Sequence, residues 1–163
     1  MKRSINTKAK GDSFERKVAK IFTNWYGKTV RRTPLSGQIA IKSDIISDED
    51  FPFLIECKKH ERFYLEEILS SGVNFRKMLL DIEDQKNSLF YKENKIQAII
   101  YSRSRTSIYI ILPEREFKKV KTEVRERILK DLNWIMLKFK DMNFYVFLLA
   151  DFLREIKPSE IGN

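Results

Sequence analysis

Asp44 and Glu56 are separated by eleven residues, and Glu56 opens the short run Glu56-Cys57-Lys58. Each acid lies in an apolar stretch: Ala40-Ile41-Lys42-Ser43-Asp44-Ile45-Ile46 in one case, Phe53-Leu54-Ile55-Glu56-Cys57-Lys58 in the other. Read as two strands of a hairpin, these stretches bring two carboxylates and an amine to one spot. Mg²⁺ suits such a place, because it takes a few acidic oxygens and keeps several of its waters. A bound divalent ion lowers the pKa of water and clamps oxygens, which is what phosphodiester hydrolysis needs. Lys58 follows Glu56 by two residues, so on a strand both point to the same face. There its ammonium can orient water or offset transition-state charge. Cys57 points the other way, as a core residue, with its backbone carbonyl still able to reach a metal. The plain alternative is a pair of solvated strand acids with a cross-face lysine. Ile45, Ile46, Leu54 and Ile55 weigh against it, since they make both stretches look buried and unpaired buried charge is costly.

The charge balance names the substrate class. The chain of 163 residues carries 32 basic and 23 acidic side chains, a net +9. Such an excess favours a polyanion, here nucleic acid, and says nothing of fold. Lys8 and Lys10 lie in a basic N-terminal stretch, Arg31 and Arg32 precede a Pro34-Leu35-Ser36-Gly37-Gln38 loop, and Arg103 and Arg105 share a turn. With Lys59, these are the candidates for phosphate contact, which would position a duplex without reading its bases. The single histidine, His60, cannot make a histidine-based metal site. Cys57 is the one cysteine, so no intrachain disulfide forms, in keeping with a reducing, cytoplasmic setting. The longest apolar run, Phe144 to Ala150, is too short to cross a bilayer.

The elements that must carry these groups can be read from periodicity. Residues 1–10 read as a flexible basic arm, and 11–163 as a single domain. A helix is expected from Asp12 or Ser13, with Phe14, Val18, Ile21, Phe22 and Trp25 on one stripe and Gly27 as its stop. On that helix Glu15 has two readings of equal weight. It completes a capping box with Asp12, or it projects over the sheet beside Phe14. Strands are expected at 29–33, 40–46 and 53–58, then helix over 64–92, weak near Ser70-Ser71-Gly72. Strands 95–101 and 107–112 follow. Residues 114–140 read as one or two surface helices, with Trp134 on a helical stripe. A strand over 142–149 and a short closing helix end the chain. The order suggests a mixed sheet flanked by helices, an α/β fold.

Together, Lys10-Gly11-Asp12-Ser13-Phe14-Glu15-Arg16, Arg31-Arg32-Thr33-Pro34-Leu35-Ser36-Gly37-Gln38, Ser43-Asp44 and Ile55-Glu56-Cys57-Lys58 resemble the PD-(D/E)XK nuclease superfamily. Within it they are similar to archaeal- and phage-type Holliday-junction resolvases. The resemblance covers about residues 10–112. It implies a restriction-endonuclease-like fold, with Glu15, Asp44 and Glu56 as metal ligands and Lys58 as the catalytic lysine. Gln85 matches a glutamine that positions substrate or water. Ser36, Gly37 and Gln38 would belong to a DNA-contacting loop. Mg²⁺ is the implied cofactor, with Mn²⁺ as a substitute. The implied partners are four-way DNA junctions and a second copy of the chain, because a junction needs two symmetric nicks. Apolar stretches at 63–80 and 132–153 are the candidate dimer surfaces. Ser43 stands where the superfamily name has proline. Two other classes stay open: a different nuclease of the superfamily acting on duplex, flap or single-stranded DNA ends, and a silent DNA-binding module with the same fold.

Overall fold

The computed structural model describes residues 7–34, 42–60, 73–87, 91–103, 107–139 and 141–162. Helix α1 spans Thr7–Tyr26. Phe14, Val18, Ala19 and Phe22 bury one stripe of it, at the spacing an amphipathic helix requires. The helix is thus already formed at Thr7, well before Asp12. That removes the capping box: Asp12 sits inside the helix, where the N–H groups it would cap are already bonded. It also places residues 7–10 in the helix and not in an arm. Gly27 ends α1 with φ +75°, and its N–H donates to the Thr23 carbonyl at 3.0 Å. The Thr23 hydroxyl bonds the Ala19 and Val30 carbonyls and accepts the Val30 N–H, tying the helix end to the chain that enters the sheet.

Two short strands follow, β1 (Arg31–Arg32) and β2 (Ile45–Ile46), both briefer than the periodicity suggests. Strand β3 runs over Phe53–His60. Helix α2 (Val73–Asp84) runs into a 3₁₀ turn at Gln85–Asn87. Strands β4 (Ile96–Arg103) and β5 (Ile108–Pro113) come next, then the short helix α3 (Glu114–Phe117) and helix α4 (Thr122–Asp131). Strands β6 (Trp134–Phe139) and β7 (Met142–Leu148), helix α5 (Leu149–Glu155) and a 3₁₀ turn at Pro158–Glu160 complete the chain. Residues 134–139 are thus a strand and not part of a surface helix. Trp134 lies on a half-exposed sheet edge, where its indole N–H donates to the Leu129 carbonyl.

The strands form one seven-stranded sheet in the order β1-β2-β3-β4-β5-β7-β6. All neighbours are antiparallel except β3 and β4, which pair in parallel from Phe53 opposite Ile96 to His60 opposite Arg103. Strand alternation sends Phe53, Ile55, Ala98, Ile100, Ile110 and Leu112 to one face, against α1, α4 and α5. Ile99, Tyr101 and Ile111 face the other way, against Met78, Leu79 and Ile82 of α2. Covered on both faces, β4 is buried at every position but Arg103, polar Gln97 and Ser102 included. The first face is rich in edge-to-face aromatic contacts, with Phe22 meeting Trp25, Phe51 and Phe53. Trp25 also donates its indole N–H to the Ile156 carbonyl at 2.8 Å, locking α1 to the C-terminal segment. Among the described residues no helix is long and apolar enough to cross a membrane.

Candidate active site

The site forms where β2 parts from β3. Ile45 pairs with Ile55, and the Asp44 N–H donates to the Ile55 carbonyl at 2.8 Å. One residue earlier, the buried Ser43 hydroxyl accepts the Ile55 N–H at 3.0 Å and lies 2.8 Å from the Ile45 carbonyl. Serine thus closes the ladder at the position where the superfamily name has proline, with a side-chain bond that proline could not make. Thr33 holds the other side, donating its hydroxyl to the Ser43 carbonyl at 2.6 Å and its N–H to the Asp44 carbonyl.

Held in this way, Asp44 turns its carboxylate onto β3, where Oδ2 accepts the Cys57 N–H at 2.7 Å. A strand residue's N–H and C=O point to the same side, so the Cys57 carbonyl faces this side too. The Cys57 side chain packs against the core, as strand alternation requires. Glu56 and Lys58 share the opposite face of β3, with the Lys58 ammonium 2.6 Å from Glu56 Oε1 and 2.7 Å from Asp81 Oδ2 on α2. Glu15 reaches in from α1 and is bonded by the Arg32 guanidinium, which also meets Asp12 at 2.6 Å.

Burial and the charge of Glu56 raise the Asp44 carboxyl to about 7, against the pull of the Cys57 N–H; Glu15 adds to the rise. Burial also raises Glu56, more than Lys58 lowers it. Burial alone would lower the Lys58 ammonium, but Glu56 and Asp81 outweigh it and hold it above its ordinary range. Two carboxylates that resist ionising together, with hard oxygen donors and a carbonyl alongside, have the chemistry of a Mg²⁺ site, because a divalent charge removes their repulsion. Asp44, Glu56 and the Cys57 carbonyl could hold such an ion. Among the described residues no three acidic, thiol or imidazole groups already converge as a ready cage. Arg32 and Lys58 engage Glu15 and Glu56 instead.

Other expected residues are placed as follows. Gln85 lies in the 3₁₀ turn after α2, fully buried, with no hydrogen-bond partner for either amide atom among the described residues. Arg31 is exposed on β1, Lys10 lies on the first turns of α1, and Arg103 ends β4. Lys59 is exposed, with its ammonium over the Phe14 ring at 5.9 Å. Ser36, Gly37, Gln38, Arg105 and the Lys8 side chain lie outside the described residues. Sequence reasoning did not single out Asp81. Its position between the buried Met78 and Ile82 is the signal that could have found it.

A mixed sheet flanked by helices, with an aspartate strand parting from a Glu-x-Lys strand, defines a nuclease of the PD-(D/E)XK superfamily. A family model described as Phage putative PDDEXK endonuclease matches residues 6–163, and the chain belongs to that family. The match extends through the C-terminal third, beyond the motifs of the first 112 residues. No curated protein and no solved structure gives a significant match.

Proposed function

We propose that the chain is a Mg²⁺-dependent, structure-selective DNA endonuclease of the cytoplasm, and that its substrate is the four-way junction. The observation that carries the metal-dependent chemistry is the Asp44 and Glu56 pair, half-buried together beside Lys58. Asp44, Glu56 and Glu15 would hold Mg²⁺, for which Mn²⁺ can substitute, with the Cys57 carbonyl as a further donor. When bound, the ion supplies an acidified water and a clamp on the phosphate oxygens. Lys58 keeps a proton-rich ammonium next to the reacting phosphate and offsets the charge that develops there. Lys10, Arg31, Lys59 and Arg103 would carry the DNA backbone. The net charge of +9 supports an anionic substrate, and the sequence resemblance supports the junction and a homodimer making paired nicks.

The test is cleavage of a labelled immobile four-way junction and of linear duplex with the same sequence, each with Mg²⁺ or EDTA. Symmetric, Mg²⁺-dependent nicks in the junction alone are the expected result. Equal cutting of both substrates would leave a broader nuclease of the superfamily, and binding without cutting would leave a silent module.

A further inference from the structure

Lys58 is held from two sides, and only one of them belongs to its own strand. Glu56 is two residues away on β3. Asp81 comes from α2, across the sheet face. A lysine paired with Glu56 alone would fold back onto a carboxylate needed elsewhere. With Asp81 opposite, the ammonium sits between two oxygens at 2.6 and 2.7 Å and, among the described residues, has a third N–H left for another acceptor. The pair is not an open surface contact, since the side chains of Lys58 and Asp81 are 20% and 30% exposed.

Asp81 is also placed with some rigidity. Its neighbour Ile82 is fully buried against the sheet. The Gln97 side-chain amide donates to the Ile82 carbonyl at 2.5 Å, pinning this turn of α2 to β4. The same residue's backbone N–H is taken by the buried Glu116 carboxylate at 2.9 Å. Strand β4 is in turn the parallel partner of the strand that carries Lys58. A continuous set of bonds therefore fixes the Asp81 carboxylate relative to β3.

We propose that Asp81 is a positioning residue for this nuclease, sharing the Lys58 ammonium with Glu56 and so fixing where it is presented to the scissile phosphate. The inference rests on the reading that Lys58 acts at the phosphodiester. Removing Asp81 takes away one of the two carboxylates that hold the ammonium, which lets the lysine leave its place and puts its whole charge on Glu56, a carboxylate of the proposed metal site.

The experiment compares Asp81→Ala, Asp81→Glu, Lys58→Ala and the double variant Asp81→Ala/Lys58→Ala. It measures single-turnover DNA cleavage with Mg²⁺, DNA binding in EDTA, and the ¹⁵N signal of the Lys58 ammonium in the free protein. Asp81→Ala should slow cleavage roughly 10- to 100-fold, the scale of a misplaced catalytic group, with binding unchanged. Asp81→Glu should recover part of the rate. The double variant should be no slower than Lys58→Ala, because the two act as a unit. The Lys58 signal should shift and broaden in Asp81→Ala. A wild-type rate in Asp81→Ala beside an inactive Lys58→Ala would overturn the role of Asp81 and leave that of Lys58 standing. Slow cleavage with an unmoved Lys58 signal would make Asp81 merely structural and overturn it as well. A fully active Lys58→Ala would overturn the reading beneath both.

Discussion

Asp44 and Cys57 meet through a hydrogen bond from the Cys57 backbone N–H to Asp44 Oδ2, at 2.7 Å. One carboxylate thus does two things: it replaces a ladder bond where β2 leaves β3, and it presents its charge beside Glu56. Substitutions here should separate the two. Asp44→Asn keeps an acceptor for the Cys57 N–H, whereas Asp44→Ala leaves that donor without one, at a cost of about 1–3 kcal/mol. Both, like Glu56→Gln, should lower the cleavage rate at least roughly 1,000-fold while leaving DNA binding intact. Wild-type turnover in either Asp44→Asn or Glu56→Gln would remove that residue from the site.

The raised Asp44 carboxyl makes stability depend on pH in a defined direction. Its folded value of about 7 lies above the ordinary 3.8, so the folded state binds the extra proton between those limits. Metal-free protein should therefore lose stability as pH rises through that window, with the full loss present above it. Asp44→Asn should remove the loss and be about 1–3 kcal/mol more stable than wild type at pH ~8, with the gain vanishing near pH ~4. Urea denaturation in EDTA at several pH values checks this. A gain that grew toward acid would contradict it.

Divalent metal should act against the same penalty. Mg²⁺ at about ten times its dissociation constant should stabilise the wild type by about 1.4 kcal/mol. That increment should be larger at neutral than at acid pH, and absent in Asp44→Asn. Melting curves with and without EDTA give the answer without any DNA present.

Arg31 and Arg32 are adjacent in sequence but differ in surroundings. Arg31 is exposed, while Arg32 is bonded to both Asp12 and Glu15. Arg31→Ala should reduce the salt slope of DNA binding by about one, as expected for one lost phosphate contact. Arg32→Ala should leave the slope unchanged and instead destabilise the fold, because two acids lose their partner. Binding titrations at a series of salt concentrations distinguish the pair.

Glu116 should be the costliest acid to remove outside the site. It is 2% exposed, accepts the Gln97 N–H at 2.9 Å and pairs with Lys119 at 2.7 Å. Glu116→Ala should destabilise the protein by about 3 kcal/mol, since it strands a buried donor and a cation. Chemical denaturation measures this directly.

The strands of the site could be read from sequence because their signal is local. Ile45, Leu54 and Ile55 flank the acids, and two-residue alternation puts Glu56 with Lys58. The start of α1 was hidden by Gly11, which lowers helix propensity, although the flanking Lys8-Ala9-Lys10 favours helix. Strand β6 reads as helix because three of its apolar residues, Trp134, Ile135 and Met136, are exposed at a sheet edge, so burial imposes no clean alternation on them. Partnerships such as Arg32 with Glu15, and Lys58 with Asp81, join separate elements. No spacing rule links residues 17 or 23 positions apart, and only the packing of α1 and α2 brings them together.

The lone parallel pair has a consequence for how the molecule comes into being. Hairpin neighbours can zip up as soon as their turn exists, but β3 must wait for β4, which begins at Ile96 and ends at Arg103. Glu15, Asp44, Glu56 and Lys58 all leave the ribosome before that partner does. A nascent chain or a prematurely terminated product can thus display every proposed active-site residue and still lack the strand that holds them in register. Cutting power would arrive late in synthesis, once the middle of the sheet has closed.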